Sequence, residues 1–236
     1  DNMWPYSYDT CTPQYNQGGQ RITRCDQGEE NKGMNEYQGR GAPEIDVLEA
    51  KVEINENNEP EASMYCTFHF GPKNPVNTSY DSGIFGNQTA ANNITLYAAS
   101  DAYHDYIGSI KPIEETFYSD FHVYRVEWEP DSYIRWLIDG QLQIEITAEA
   151  LKARSTDGTP ENSVGRRMIP VEPLYIIMNL ALSNDWAPPS PDLSFPGQLL
   201  VDYVRVYQRP GLQQLSCSPP SFPSAEYISS NINFYT

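Results

Sequence analysis

The chain has 236 residues, and its 15 Lys and Arg stand against 32 Asp and Glu, a formal net charge of −17. That balance leaves no electrostatic footprint for nucleic acid, which is bound by a basic face, and disfavours anionic membrane surfaces and polyanionic substrates. Hydrophobic residues make up 39%, with 17 Tyr, 8 Phe and 4 Trp, enough to build a core and too many for disorder throughout. The longest uncharged apolar run, Leu174 to Leu182, is too short to cross a bilayer, and no transmembrane helix or signal peptide is read in the chain. The first residue is Asp1 rather than Met, as in a processed or trimmed product of a longer precursor.

In chain order, residues 1–40 are rich in Gly, Gln, Asn and Tyr with little periodicity and read as long loops. Ala42 to Ile54 is strand-like. Ser63 to Phe70 alternates, with Met64, Cys66, Phe68 and Phe70 on one face and Tyr65, Thr67 and His69 on the other. Residues 71–93 read as a long loop, followed by strand candidates at Asn93 to Ala99 and Phe117 to Glu129. Ser132 to Gly140 and Gln141 to Thr147 read as a hairpin turning at Asp139-Gly140. Thr147 to Ala153 is the one clear short helix, with Thr147 as its N-cap. A polar loop spans Ser155 to Arg167. Leu174 to Leu182 is a continuous apolar strand, and Gln198 to Gln208 is an alternating one. Many short strands and almost no helix argue for an all-β sandwich in one domain over 1–211, with a Pro-rich tail, 212–236, packed on it.

One segment carries chemistry. In Pro43-Glu44-Ile45-Asp46-Val47-Leu48-Glu49-Ala50, three carboxylates fall within six residues of an otherwise apolar strand. Glu44 and Asp46, two apart, share a face. Glu49 would point to the opposite face of a regular strand, and a β-bulge at Val47-Leu48 would return it to the acidic one. Glu44 and Glu49 would then lie roughly 13 Å apart along the strand at about 3.3 Å per residue. Strand bending and converging side chains could close that to the gap of about 5 Å that a retaining glycosidase uses. Three carboxyls this close cannot all ionise easily, so at least one pKa should rise, as an acid catalyst requires. The competing reading is an exposed strand with its acids in solvent and Ile45, Val47 and Leu48 inward.

Glu44-Ile45-Asp46-Val47-Leu48-Glu49 resembles the bulged active-site signature of glycoside hydrolase family 16. Phe121 to Pro130 followed by Trp136 to Gly140 resembles that family's strand and hairpin after the catalytic strand. Leu174 to Ala181 is similar to its Asn-containing strand beside the cleft, and Val201 to Gln208 to its closing strand. Met3 to Cys11, Gly39 to Pro43, Ser216 to Pro220 and Ala225 to Tyr227 resemble the fungal β-glucan-synthesis-associated branch. The resemblance implies a concanavalin-like β-jelly-roll. It also implies a retaining glycosidase or transglycosylase acting on β-1,6/β-1,3-glucan in the cell wall, with Glu44 as nucleophile, Asp46 as its helper and Glu49 as acid/base. It implies a location in the secretory lumen, at the cell surface or outside the cell. Family members carry further sandwich strands ahead of a Met-Trp-Pro stretch of this kind. On this resemblance those strands are missing from the chain, and either were lost or belong to a companion segment of the same precursor that stays associated.

Among the aromatics, Trp4, Trp128, Trp136 and Trp186 are candidate sugar-stacking platforms, Trp186 foremost because it sits in the loop Asn184 to Pro188. Trp136 shares strand spacing with Trp128, so one face of the sandwich must bury its share. His69, on the strand beside the acids, could reach Glu49, and Asn179 interrupts an apolar run and so is buried or cleft-facing. Four Cys at 11, 25, 66 and 217 allow three disulfide pairings, of which Cys11–Cys25 with Cys66–Cys217 is preferred; four buried free thiols is the other reading. Asn77, Asn87 and Asn93 open Asn-x-Ser/Thr sequons, glycan acceptors if the chain is secreted. The acids at 53–61 read as a solvated loop rather than a metal site, and no cofactor is expected, although a structural calcium is compatible with the family. A carbohydrate-binding or structural surface protein of the same fold, with little turnover, is the second functional reading.

Overall fold

The computed structural model describes residues 7–8, 39–40, 43–72, 84–86, 92–99, 103–110, 114–152, 154–155, 163–164, 166–191, 193–220, 222, 224–230 and 232–234. Among the described residues, two four-stranded antiparallel sheets form the body. The first is built from β3 (Ile45–Ile54), β4 (Pro60–Pro72), β6 (Asn92–Ala99) and β7 (Tyr103–Ile110) in the order β3-β4-β7-β6. The second is built from β5 (Ile84–Gly86), β8 (Tyr124–Glu129), β9 (Tyr133–Ile138) and β10 (Gln141–Thr147) in the order β5-β10-β9-β8. Two-residue ladders join β1 (Ser7–Tyr8) to β2 (Gly39–Arg40) and β11 (Arg154–Ser155) to β12 (Ser163–Val164).

The sheets pack face to face because each alternates. On β4, Met64, Cys66 and Phe68 are buried, and on β9 Ile134, Trp136 and Ile138 are buried. Cys66 and Phe68 meet Ile134, Trp136, Ile144, Ile146 and Leu151 in one core. The far side of the second sheet is polar: Arg135 pairs with Glu127 on β8 and Glu145 on β10, its two cross-strand neighbours. The result is an all-β sandwich of the jelly-roll kind.

The hairpin turns at Asp139-Gly140, with φ of 48° and 79°. Positive φ at both positions is what the tight two-residue connection demands, and glycine meets it without strain. Asp139 also ties this turn to the chain entering β8. Its carboxylate accepts hydrogen bonds from the Val123 amide at 2.8 Å and from His122 Nδ1 at 2.6 Å, while the Phe117 ring stacks on the imidazole. The Asp139 hydrogen bond holds the His122 pKa above its ordinary value, and the same bond holds the Asp139 carboxyl below its own. A raised His contributes stability that is complete below about pH 6.5 and lost as pH rises through the folded value. A lowered Asp contributes stability lost as pH falls below about 4. The melting-temperature difference between wild type and Asp139→Asn should therefore be largest between about pH 4 and 6.5 and shrink above neutrality. A difference that grows at pH 8 would contradict the pairing.

Several expected elements differ. β8 begins only at Tyr124, because Phe117 falls in a single helical turn, Thr116–Ser119. The short helix is a 3-10 turn, Ala148–Leu151, whose N-cap Thr147 makes no side-chain cap bond. Part of the expected 71–93 loop is strand, β5 and the start of β6, and β7 and the helix Ala225–Ser230 were not anticipated. Leu174 to Leu182 and Gln198 to Gln208 enter no strand among the described residues, although their sequences are strand-like. A strand needs an edge to pair with, and no described edge reaches them.

The expected Cys66–Cys217 disulfide is not formed, since both are free thiols. Cys66 lies between the sheets, 3% exposed, and burial pushes its thiol pKa to about 12, while Cys217 lies exposed. Cys11, Cys25, Trp4, Asn77 and Asn87 fall outside the described residues; Asn93 lies on β6, at the edge of its sheet.

Candidate active site

The acidic segment forms the start of β3. Ile45 pairs with Phe68 and Asp46 with Thr67, but the next pair is Glu49 with Tyr65. Three steps on β3 therefore match two on β4, and the extra residue lies in the Val47-Leu48 bulge. Ile45 keeps its place against the core, while Asp46 and Glu49 both lie on the face of Tyr65, Thr67 and His69, the side of the sheet away from the core. Without the bulge one of the two acids would face inward.

The bulge is held from both layers. Trp136, 1% exposed in the second sheet, donates its indole Nε1–H to the Asp46 carbonyl at 2.9 Å. The Cys66 thiol lies 3.7 Å from the Val47 carbonyl. Two backbone acceptors that the bulge displaces from the ladder thereby find partners inside the core.

On the acidic face, His69 Nε2 lies 3.1 Å from Asp46 Oδ2 and 4.0 Å from Glu44 Oε2. His69, which on the sequence reading could reach Glu49, makes its close contacts to Asp46 and Glu44 instead, because it lies two residues beyond Thr67, the last residue of β4 paired ahead of the bulge. Glu49 accepts a hydrogen bond from the buried Thr67 hydroxyl at 3.2 Å. Burial raises the Glu49 pKa most, and the charges of Asp46 and Glu44 raise it further against the lowering effects of Thr67 and His69. Glu44 lies just ahead of β3 and is the exposed member of the group.

Lys51 follows Glu49 on the same face. Its ammonium stands 4.8 Å from the Trp186 ring centroid and 5.5 Å from that of Tyr65, and it donates to the Trp186 carbonyl at 3.4 Å. This contact carries Trp186, 45% exposed, from its loop to the acidic face. Lys51 and Tyr65 were not singled out from sequence; their signal was the even spacing from Glu49 and the cross-strand pairing to it. Trp128, partly buried, packs against the core and donates its Nε1–H to the Pro170 carbonyl at 2.8 Å. Asn179, expected to be buried or in the cleft, is exposed with the rest of its segment.

Glu44, Asp46 and His69 each place one ligand atom within 4.8 Å of the others, a mixed oxygen and nitrogen set. Calcium takes six to eight oxygen ligands, so this trio does not make a calcium cage. What the arrangement offers chemically is two glutamates flanking an aspartate on one face of the sheet, one of them biased toward holding a proton.

The whole chain, residues 1–236, matches the family model described as beta-glucan synthesis-associated protein SKN1/KRE6/Sbg1. It is 30% identical over 277 residues to the beta-glucan synthesis-associated protein KRE6 of Candida albicans, covering 100% of this chain and 34% of the relative. It is 29% identical over 257 residues to KRE6 of Saccharomyces cerevisiae, covering 99% of this chain and 34% of the relative. The glucan endo-1,3-beta-glucosidase A1 of Niallia circulans is 31% identical over 169 residues, covering 70% of this chain and 19% of that protein. The chain thus spans about a third of the length of the fungal relatives it matches. No solved structure matches it. An all-β sandwich whose bulged strand turns three acids to one face, matched along its full length in this way, belongs to the SKN1/KRE6/Sbg1 family of beta-glucan synthesis-associated proteins.

Proposed function

We propose that the chain carries the catalytic face of a retaining β-glucan-active glycosidase or transglycosylase that makes or remodels cell-wall β-1,6- or β-1,3-glucan. The observation that carries this reading is the bulge in β3, which puts Asp46 and Glu49 on one face beside Glu44. In the proposed reaction Glu44 attacks the anomeric carbon while Glu49 protonates the departing oxygen, leaving a covalent glycosyl-enzyme. Glu49, now ionised, then takes a proton from water or from a sugar hydroxyl, which displaces Glu44 and restores both carboxyls. Asp46, next to His69, holds the charge distribution between them. Trp186 gives the sugar an aromatic face next to Lys51.

The raised Glu49 pKa supports its role as the acid, since the proton must be in place near the working pH. The reaction as written uses only carboxyl groups of the chain. We place it in the secretory lumen or at the cell surface, with Asn77, Asn87 and Asn93 as glycan acceptors, and with a companion segment of the same precursor completing the sandwich. The relatives' names support a glucan substrate, and the Niallia circulans protein supports glycosidase chemistry.

Laminarin and pustulan incubated with the protein should yield shorter or rearranged chains whose newly formed ends or linkages keep the β configuration, as followed by NMR. Binding of either glucan with neither release nor transfer would favour the binding or structural reading instead. An α-configured first product would rule out the retaining route.

A further inference from the structure

Lys51 is the only Lys or Arg between Arg40 and Lys73, in a stretch that carries Glu44, Asp46 and Glu49. Standing two residues past Glu49 on β3, it shares the acidic face. Its ammonium is aimed at rings, 4.8 Å from the Trp186 centroid and 5.5 Å from that of Tyr65, both within the range of cation–π attraction. The same group donates to the Trp186 carbonyl at 3.4 Å, so it holds both the ring and the backbone of that residue. Tyr65 is fixed in turn, because Ser63, which pairs with Lys51 across the ladder, donates its hydroxyl to the Tyr65 oxygen at 2.9 Å. The loop bearing Trp186 sets its own shape: Ala187 donates its amide to the Ser183 carbonyl at 3.1 Å, and Trp186 donates its amide to the Ser183 hydroxyl at 3.2 Å. Lys51 joins that closed turn, 135 residues away in the chain, to β3. The indole stays half-exposed and so keeps a surface for a ligand.

We propose that Lys51 is a positioning residue that fixes Trp186 as the platform for the acceptor sugar. The inference rests on the glycosidase reading given above and deepens it. Along β3 the order is Glu44, Asp46, Glu49, Lys51, which sets the nucleophile at one end and the platform past the acid at the other. Glu49 protonates the oxygen of the departing sugar and later takes the proton of the incoming hydroxyl, so both sugars use the space beside Glu49 on the side away from Glu44. An aromatic face there holds a sugar ring by stacking. A ring already locked in place binds with less ordering cost than one that must be immobilised. Lys51 therefore sets how often a sugar rather than water receives the glycosyl group, without touching the reacting atoms.

Laminarin or pustulan as donor, with fluorescently labelled laminaritriose or gentiotriose as acceptor, separates transfer from hydrolysis. Lys51→Met keeps the aliphatic stem and removes the cation. It should raise the acceptor KM by about 10-fold and lower the share of transfer, with a smaller effect on kcat, as expected for a lost cation–π anchor. Lys51→Arg, which still places a cation and a donor on Trp186, should keep most of the transfer. Trp186→Ala should lose at least as much as Lys51→Met, and the double variant should lose little more, because both changes remove one platform. A Lys51→Met protein that matches wild type in acceptor KM and in transfer would overturn the proposal. Additive losses would overturn it too, since Lys51 would then act without Trp186. A loss in kcat alone would move Lys51 into the chemistry, and a donor KM that rises while transfer holds would move the platform to the other end of the acidic face. Should wild type bind these glucans with no turnover, the catalytic reading falls, and the same double cycle on glucan affinity decides whether Lys51 positions Trp186. Absence of binding in wild type would remove the platform itself.

Discussion

Glu49→Ala should cut glucan turnover by about 10²–10⁴-fold, the usual weight of a positioned general acid, and the loss should be smaller on a glucoside with an acidic aryl leaving group. On that substrate the departing oxygen needs no proton, so Glu44 still forms the glycosyl-enzyme. Added azide should then displace Glu44 and give the β-glucosyl azide, the product of two inversions. Glu44→Ala should be more damaging, and azide entering the vacated space should give the α-glucosyl azide by a single inversion. Swapped azide configurations would exchange the two roles, and no rescue in either variant would argue against a covalent route.

Glu49 has a second, independent signature. Its carboxyl holds its proton more tightly in the fold than in the unfolded chain. That contribution is complete below about pH 4.5, the ordinary value, and is lost as pH rises through the folded one. Glu49→Gln, which can still accept the Thr67 hydroxyl, should melt above wild type at pH 7 to 8, with the gap closing near pH 4. Activity moves the other way, the trade expected where a site keeps an uncomfortable charge. The basic limb of the wild-type rate profile should fall as Glu49 ionises and should vanish in Glu49→Ala with the aryl substrate.

The acidic face was legible in the sequence because strand periodicity leaves little freedom. Asp46 and Glu49 are three apart, an odd number, and only an inserted residue puts both outside while Ile45 stays inside. The Tyr65, Thr67 and His69 face of β4 followed from the same alternation. Partners across sequence distance were less legible. The local pattern puts His69 near the acids but does not fix the register that sets it opposite Glu44, before the bulge. β7 was missed because Tyr103-His104-Asp105-Tyr106 carries polar residues that its neighbours β4 and β6 tolerate once the ladder forms. Leu174 to Leu182 and Gln198 to Gln208 fail in the opposite sense. Their apolar pattern specifies strands, but pairing is a property of two edges, and the second edge is not among the described residues.

Trp136→Phe tests whether the bulge is held from the opposite sheet. The indole spans the core to reach the Asp46 carbonyl at 2.9 Å, and that carbonyl belongs to the residue just before the Val47-Leu48 irregularity. Phe retains most of the buried volume but leaves the acceptor unpaired, a cost of about 1–3 kcal/mol. Trp136→Ala adds a cavity and should cost about 3–5 kcal/mol. The informative quantity is turnover in the folded Phe variant. A bulge released from its anchor lets Glu49 drift relative to Glu44, and misplacement by about 1 Å can cost a factor on the order of 100 in rate. Trp128→Phe is the matched control, since it removes an indole bond of 2.8 Å to the Pro170 carbonyl, away from β3. Both variants should lose comparable stability, and only Trp136→Phe should lose kcat, with KM little changed. Equal turnover in the two would mean that β3 keeps its irregular register without help from the second sheet, and that the acids are aligned by the β3–β4 ladder alone.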